Sequence, residues 1–185
     1  VPQNPTNMLG FSCLDVVLMG RNPYIPIGGW PNGSDIDIAY QSMKSTGVDQ
    51  FAKRTLDTLS GGEIQRVFIA KGLAQGTGIL LLDEPARNLH PTQQRGISDL
   101  LKSLAGSNQV LYATHSPYMI FDYAPGNLLV VELDKKKHLS RIYYDYWNAD
   151  DLTLTPILYG LSRGLVESIL DREIGYNSRP VIVVE

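Results

Sequence analysis

One cysteine, Cys13, is present in 185 residues. A lone cysteine cannot close an internal disulfide, so nothing in the chain calls for an oxidising compartment, and a reducing one is the default. Long apolar runs are missing as well. The longest, such as ILLL at 79–82, are a handful of residues, against the roughly 20 needed to span a bilayer. No signal-peptide pattern opens the chain. An excess of positive charge is also lacking. The formal net charge of −3 excludes an overall basic footprint for nucleic acid and leaves room only for a local patch. The most informative absence is a motif. No G-x-x-x-x-G-K-[ST] occurs, nor even one Gly-Lys dipeptide. The backbone cradle and lysine that meet the phosphates in many nucleotide hydrolases are therefore unrepresented.

What is present reads as a globular α/β chain. The length fits one domain, or one domain and part of another, with 43% hydrophobic and 19% charged residues. Val1 in place of Met, and VIVVE at the other end, read as cut ends. A short helix is expected near Cys13–Met19, a loop over Asn22–Ser34, and a helix over Ile36–Gly47 capped by Gly47. Ile64, Val67, Phe68 and Ala74 give 61–75 a helical period. Ile79–Leu82 is apolar without alternation, which predicts a parallel strand buried on both faces. Pro91 suits the first turn of a helix whose stripe is Ile97, Leu100, Leu101 and Leu104. Val110–Thr114 is a second strand. Leu128–Leu133 and Leu139–Tyr144 flank the charged tip 134–138 as a hairpin, with Lys135–Lys137 read as a solvated tip rather than a nucleic-acid patch. Leu161–Leu170 is expected to be helical and Val181–Val184 a strand.

Three constellations carry chemistry. Asp83 and Glu84 directly follow a predicted strand, the end at which α/β sheets collect ligands. An Asp there can hold Mg²⁺, and a second carboxylate can orient or deprotonate a water. LSGGE at 59–63 opens a helix. Ser60 can cap it, Glu63 has capping-box spacing, and Gly61 and Gly62 allow close approach of an anion. His115 follows the second strand, where an imidazole can stabilise transferred charge. Gln3, in VPQ, could contact Mg²⁺ or an attacking water.

Taken together these residues resemble the ATP-binding cassette ATPases. VPQ at 1–3 looks like the Q-loop, LSGGE the signature motif, ILLLD at 79–83 the Walker B strand, Glu84 the catalytic carboxylate and His115 the switch histidine. DVVLMGRNPYI at 15–25 and LSGGEIQRVFIAKGLAQ at 59–75 are similar to the ATPase subunits of iron-siderophore and cobalamin importers, in which 8–58 would be the helical subdomain that docks on a membrane permease. ARNLHPTQQ at 86–94, SNQVLYATHSPYMI at 107–120 and YYDYWNADDLTLTPILYGL at 143–161 look instead like the ATPase domain of OLD (overcoming lysogenization defect) nucleases. RPVIVVE at 179–185 would there begin a Toprim domain, with Glu185 as its first metal-binding carboxylate. The two resemblances meet near ILLLDEP, and both a fusion and a divergent natural protein account for that.

The resemblance implies a P-loop NTPase-like α/β fold of the cassette type. It would have a largely parallel sheet, a helical subdomain near the N-terminus, a C-terminal β-hairpin, and no Walker A strand or loop. That missing strand would leave a sheet position unpaired and apolar surface exposed. The domain limits expected are 1–150 for a partial ATPase domain, 151–178 for a helical connector and 179–185 for the Toprim strand. The cofactors implied are ATP and Mg²⁺, with Asp83 and Gln3 on the metal. Ser60, Gly61, Gly62 and Glu63 would face the nucleotide of a partner subunit in a head-to-tail dimer. A permease would be the further partner of an importer subunit, and DNA that of an OLD-like enzyme. The place of action would be the cytoplasm, at the inner face of the membrane for a transporter. A non-enzymatic interaction module is the remaining alternative.

Overall fold

The computed structural model describes residues 10–120, 128–134, 139–143 and 181–184. Among these residues five α-helices and five strands follow one another as α1 (Cys13–Leu18), α2 (Gly33–Ser45), α3 (Gly61–Leu73), β1 (Ile79–Asp83), α4 (Pro91–Leu104), β2 (Gln109–Ala113), α5 (Pro117–Ile120), β3 (Leu128–Asp134), β4 (Leu139–Tyr143) and β5 (Val181–Val184). The chain divides into two compact units, Val1–Leu80 and Leu81–Glu185.

The first unit is helical. α1 starts at a capping box in which Ser12 and Asp15 satisfy each other's backbone N–H groups. α2 starts the same way, with Asn32 and Asp35. That cap explains why α2 begins at Gly33, three residues before the start expected from hydrophobic spacing: the cap chemistry, not the apolar period, sets its first turn. Gly47 lies just past the helix at φ 68°, the left-handed conformation its position demands. α1 and α2 both pack on α3, burying Cys13, Val16, Val17, Ala39, Met43, Val67 and Phe68 in one apolar cluster. The unit is closed at its base. Cys13 and Leu14 donate their N–H groups to the carbonyls of Arg54 and Ala52 at 2.8 and 3.0 Å.

The second unit holds the sheet, in the order β1-β2-β5-β3-β4. β5 runs parallel to both β2 and β3, and β3 and β4 form the expected antiparallel hairpin. Glu84, the residue after β1, donates its N–H to the carbonyl of Ala113, the last residue of β2, at 3.0 Å. The carboxyl ends of β1 and β2 therefore coincide and the two strands run parallel, joined through α4. Ile97, Leu100, Leu101 and Leu104 of α4 are buried, as their spacing predicts. The hairpin tip 135–138 and the segment 161–170 lie outside the described residues.

One expectation fails. β1 is not buried on both faces. Leu80 and Leu82 are buried, but Ile79 is 51% and Leu81 66% exposed. Its unalternating apolar sequence meets packing on one face only, and the pleat sends every second side chain outward.

Candidate functional site

The carboxyl ends of β1 and β2 bring the chemistry of the second unit together. Glu84 sits at φ 46° and Asn88 at φ 62°, the two non-glycine residues in left-handed conformation among those described. Such a backbone costs on the order of 1 kcal/mol or more and persists only where surrounding bonds over-determine it. At Glu84 the bonds are visible. Its N–H goes to Ala113, and its carboxylate oxygen Oε1 accepts the backbone N–H of His115 at 3.0 Å. The same oxygen lies 3.5 Å from His115 Nε2. The Glu84 side chain is 15% exposed and that of His115 65%, so a shielded carboxylate stands beside an accessible imidazole. Asp83, the last residue of β1, is exposed.

The loop after Glu84 is a run of tight turns. Arg87 donates to the Glu84 carbonyl at 3.1 Å and Leu89 to that of Ala86 at 3.3 Å. His90 then caps α4, its Nδ1 facing the Thr92 N–H while Gln93 Oε1 receives the His90 N–H at 3.3 Å. In the opposite loop, Ser116 donates its N–H to Thr114 Oγ1 at 3.0 Å, and its Oγ accepts the Tyr118 N–H at 3.2 Å. Gln94 and Ser116, which sequence reasoning passed over, turn out to lie between the two loops. The only signals they gave were a Gln in the first turn of a helix and a Ser preceding a Pro.

The signature residues belong to the first unit. Ser60 is the N-cap of α3, and Ser60 and Gly61 are exposed. Glu63 accepts both the N–H and the O–H of Ser60, each at 2.7 Å. The Ser60 hydroxyl first, and the Ser60 N–H second, hold the Glu63 carboxyl below its usual range. The free N–H groups of a helix start make this end attractive to an anion. At the far end of α3, Arg21 donates from Nη1 to the Ala74 carbonyl at 2.8 Å and from Nε to Asp35 at 3.0 Å, and Tyr24 Oη donates to the Gln75 carbonyl at 2.6 Å. The helix is thus capped by a carboxylate at its start and a guanidinium at its end, in the sense its dipole favours.

The donors present suit an ion that arrives with a nucleotide. Mg²⁺ takes one or two carboxylates and keeps several waters and phosphate oxygens, and Asp83 with Glu84 supplies that much. Among the described residues no three His, Cys, Asp or Glu side chains converge to cage a resident metal. Gln3 and Glu185, the other two candidate ligands, lie outside the described residues.

A family model described as "AAA domain, putative AbiEii toxin, Type IV TA system" matches residues 32–121. The molybdate import ATP-binding protein MolC of Haemophilus influenzae is 35% identical over 132 residues, which cover 70% of this chain and 52% of that protein. The cobalamin import ATP-binding protein BtuD of Halobacterium salinarum is 37% identical over 140 residues, 75% of this chain and 34% of that protein. The chain thus spans about half or less of these relatives. A structure described as "An inward-facing conformation of a putative metal-chelate type ABC transporter" superposes with a TM-score of 0.69 at 26% identity, covering 86% of this chain and 61% of that one. The expected resemblance to cassette ATPases and the cassette-type fold are both borne out.

Proposed function

We propose, from a chain that carries the fold and sequence pattern of the ATP-binding cassette ATPases, that it works as the ATP-hydrolysing part of an importer of the metal-chelate and cobalamin kind. The observation that supports hydrolysis is the pairing of Glu84 with His115 at the shared carboxyl end of β1 and β2, and what supports an importer is the likeness to importer ATP-binding proteins. Bound Mg²⁺–ATP would supply the electrophilic γ-phosphorus and the charge to be neutralised. Asp83, with Gln3, would hold the metal. Glu84 is shielded and has one oxygen committed to the His115 N–H, which leaves its other oxygen to orient or accept a proton from a water. The exposed imidazole of His115 would stabilise negative charge developing on a phosphate bound beside it.

Ser60, Gly61 and Gly62, exposed or half-buried at the start of α3, would meet the nucleotide held by a second ATPase subunit, with Glu63 fixing the cap. The helical unit would rest on a membrane permease, which puts the site of action in the cytoplasm at the inner face of the membrane. No helix among the described residues is long and apolar enough to cross a membrane. Since the sequence offers no Gly-Lys phosphate cradle, we expect this chain by itself to bind ATP weakly and not to hydrolyse it. The domain limits proposed are those of the sequence reading: 1–150 for a partial ATPase domain, 151–178 for a helical connector and 179–185 for the first strand of a Toprim domain, although β5 (Val181–Val184) pairs with β2 and β3 of the one sheet.

The test is phosphate release by this chain alone and by the intact ATPase with its nucleotide-binding segment. We expect turnover only in the second, dependent on Mg²⁺ and on Glu84. Micromolar ATP affinity with turnover by the chain alone would refute the incomplete-site reading, and Glu84-independent turnover would refute the mechanism. The AAA-domain match over 32–121 leaves room for a second reading, an ATPase outside transport; the OLD-like enzyme that acts on DNA is the form of it that the sequence resemblance alone offers. Membrane fractionation of the intact protein decides between the two, since only the importer subunit sediments with a permease.

A further inference from the structure

We propose that Gln94 is a positioning residue that holds the loop of Glu84 and the loop of His115 in register, an inference that rests on the catalytic reading of that pair. Gln94 stands in the first turn of α4 and is half-buried between the two loops. Its Nε2 donates to the Leu89 carbonyl at 2.7 Å, at the end of the turns that begin with Glu84. Its Oε1 accepts the hydroxyl of Ser116, the residue after His115. The Ser116 oxygen in turn accepts the Tyr118 N–H.

The chemistry demands an amide. One arm must donate to a carbonyl and the other must accept from a hydroxyl, at opposite ends of one side chain. A carboxylate cannot donate and an ammonium cannot accept. Among the bonds described, Glu84 itself makes the direct link between the loops, through the Ala113 carbonyl and the His115 N–H. Gln94 adds a second, independent link from a rigid helix whose stripe, Ile97, Leu100, Leu101 and Leu104, is buried. Two links fix a relative orientation that one leaves free to swivel. Since Glu84 is in a left-handed conformation, loosening its loop would let the backbone relax and carry the carboxylate away from the imidazole.

The test uses Gln94→Glu, which keeps shape and the Ser116 arm but sets a carboxylate against the Leu89 carbonyl, Gln94→Ala, which removes both arms, and Ser116→Ala, which removes one arm from the other side. Amide exchange is read at His115, a group Gln94 does not touch, relative to amides inside α4. We expect roughly tenfold faster exchange at His115 in each variant, the order of one lost hydrogen bond, with α4 unchanged. The double variant Gln94→Ala with Ser116→Ala should fall short of additivity. In the intact ATPase, kcat should drop about 10- to 100-fold, the effect of misplacing a reacting group by about 1 Å, while KM for ATP stays put.

Unchanged exchange at His115 in Gln94→Glu, or equal loss across α4, would overturn the inference. Faster exchange at His115 with kcat and KM both unaltered would overturn its catalytic part. Exchange as expected in a protein whose turnover never depended on Glu84 would leave the link between the loops standing and remove the proposed function instead.

Discussion

The backbone N–H of His115 donates to the carboxylate of Glu84 at 3.0 Å, thirty-one residues away in sequence. The bond is made by the main chain, not the imidazole. Glu84 is therefore held in place whatever the ring of His115 does, and a His115→Ala change should leave the carboxylate where it is. The two residues then fail differently when mutated, although they share one site.

In the intact ATPase, Glu84→Gln should lower turnover by roughly 10²- to 10⁴-fold, the range for loss of a general acid–base group, with ATP binding retained. The amide oxygen can still accept the His115 N–H, so thermal stability should change little. Phosphate release and a melting curve on the same preparation check both halves of the expectation.

Gly20 lies where a 3₁₀ turn crosses α3, and a Cβ there would sit 2.3 Å from the Lys71 carbonyl oxygen. Backbone against backbone cannot yield cheaply. Gly20→Ala should destabilise the helical unit by about 1–3 kcal/mol or more, the cost of overpacking, as read by chemical denaturation. Ala at Gly47 would test the other glycine constraint, φ rather than space, because nothing lies within 4 Å of that position.

Tyr112 is fully buried and donates its hydroxyl to the Met119 carbonyl at 2.7 Å. Tyr112→Phe keeps the ring and removes that donor from the carbonyl. A loss of about 0.5–1.5 kcal/mol is expected for one hydrogen bond, measurable as a lowered urea midpoint with an unchanged slope.

The cap at the start of α3 should be acid-sensitive. Glu63 has its folded pKa depressed by the Ser60 hydroxyl and N–H. A depressed carboxyl contributes stability that is complete above its unfolded pKa and is lost as pH falls through the folded one. Protection of the first amides of α3 should hold steady from neutral pH down to the ordinary glutamate range and decay below it. In Glu63→Gln it should be lower at neutral pH and flat with pH. A pH series of amide protection factors distinguishes the two profiles.

Much of this was legible in the sequence because it rests on local rules. Ser60 with Glu63, Pro91 at a helix start, and the Ile97–Leu104 stripe are spacing statements, and spacing survives folding. Asp83, Glu84 and His115 were legible because each ends a strand, and parallel strands joined by one helix finish on the same edge. The exposure of Ile79 and Leu81 was not legible strand by strand, because an apolar run looks the same whether one or two faces are packed. Gln94 was not legible for another reason. Its partners, Leu89 and Ser116, are five residues before it and twenty-two after it, and no periodicity connects them.

The left-handed backbone at Glu84 also bears on how such a site could be lost over time. Glycine would adopt φ 46° without strain, so Glu84→Gly would relieve the main chain while abolishing the carboxylate. The same change removes the carboxylate that accepts the His115 N–H, so relief of the main chain is set against the loss of a bond between the two loops. Position 84 is thus one where the need for a carboxylate, and not the comfort of the main chain, would select the residue.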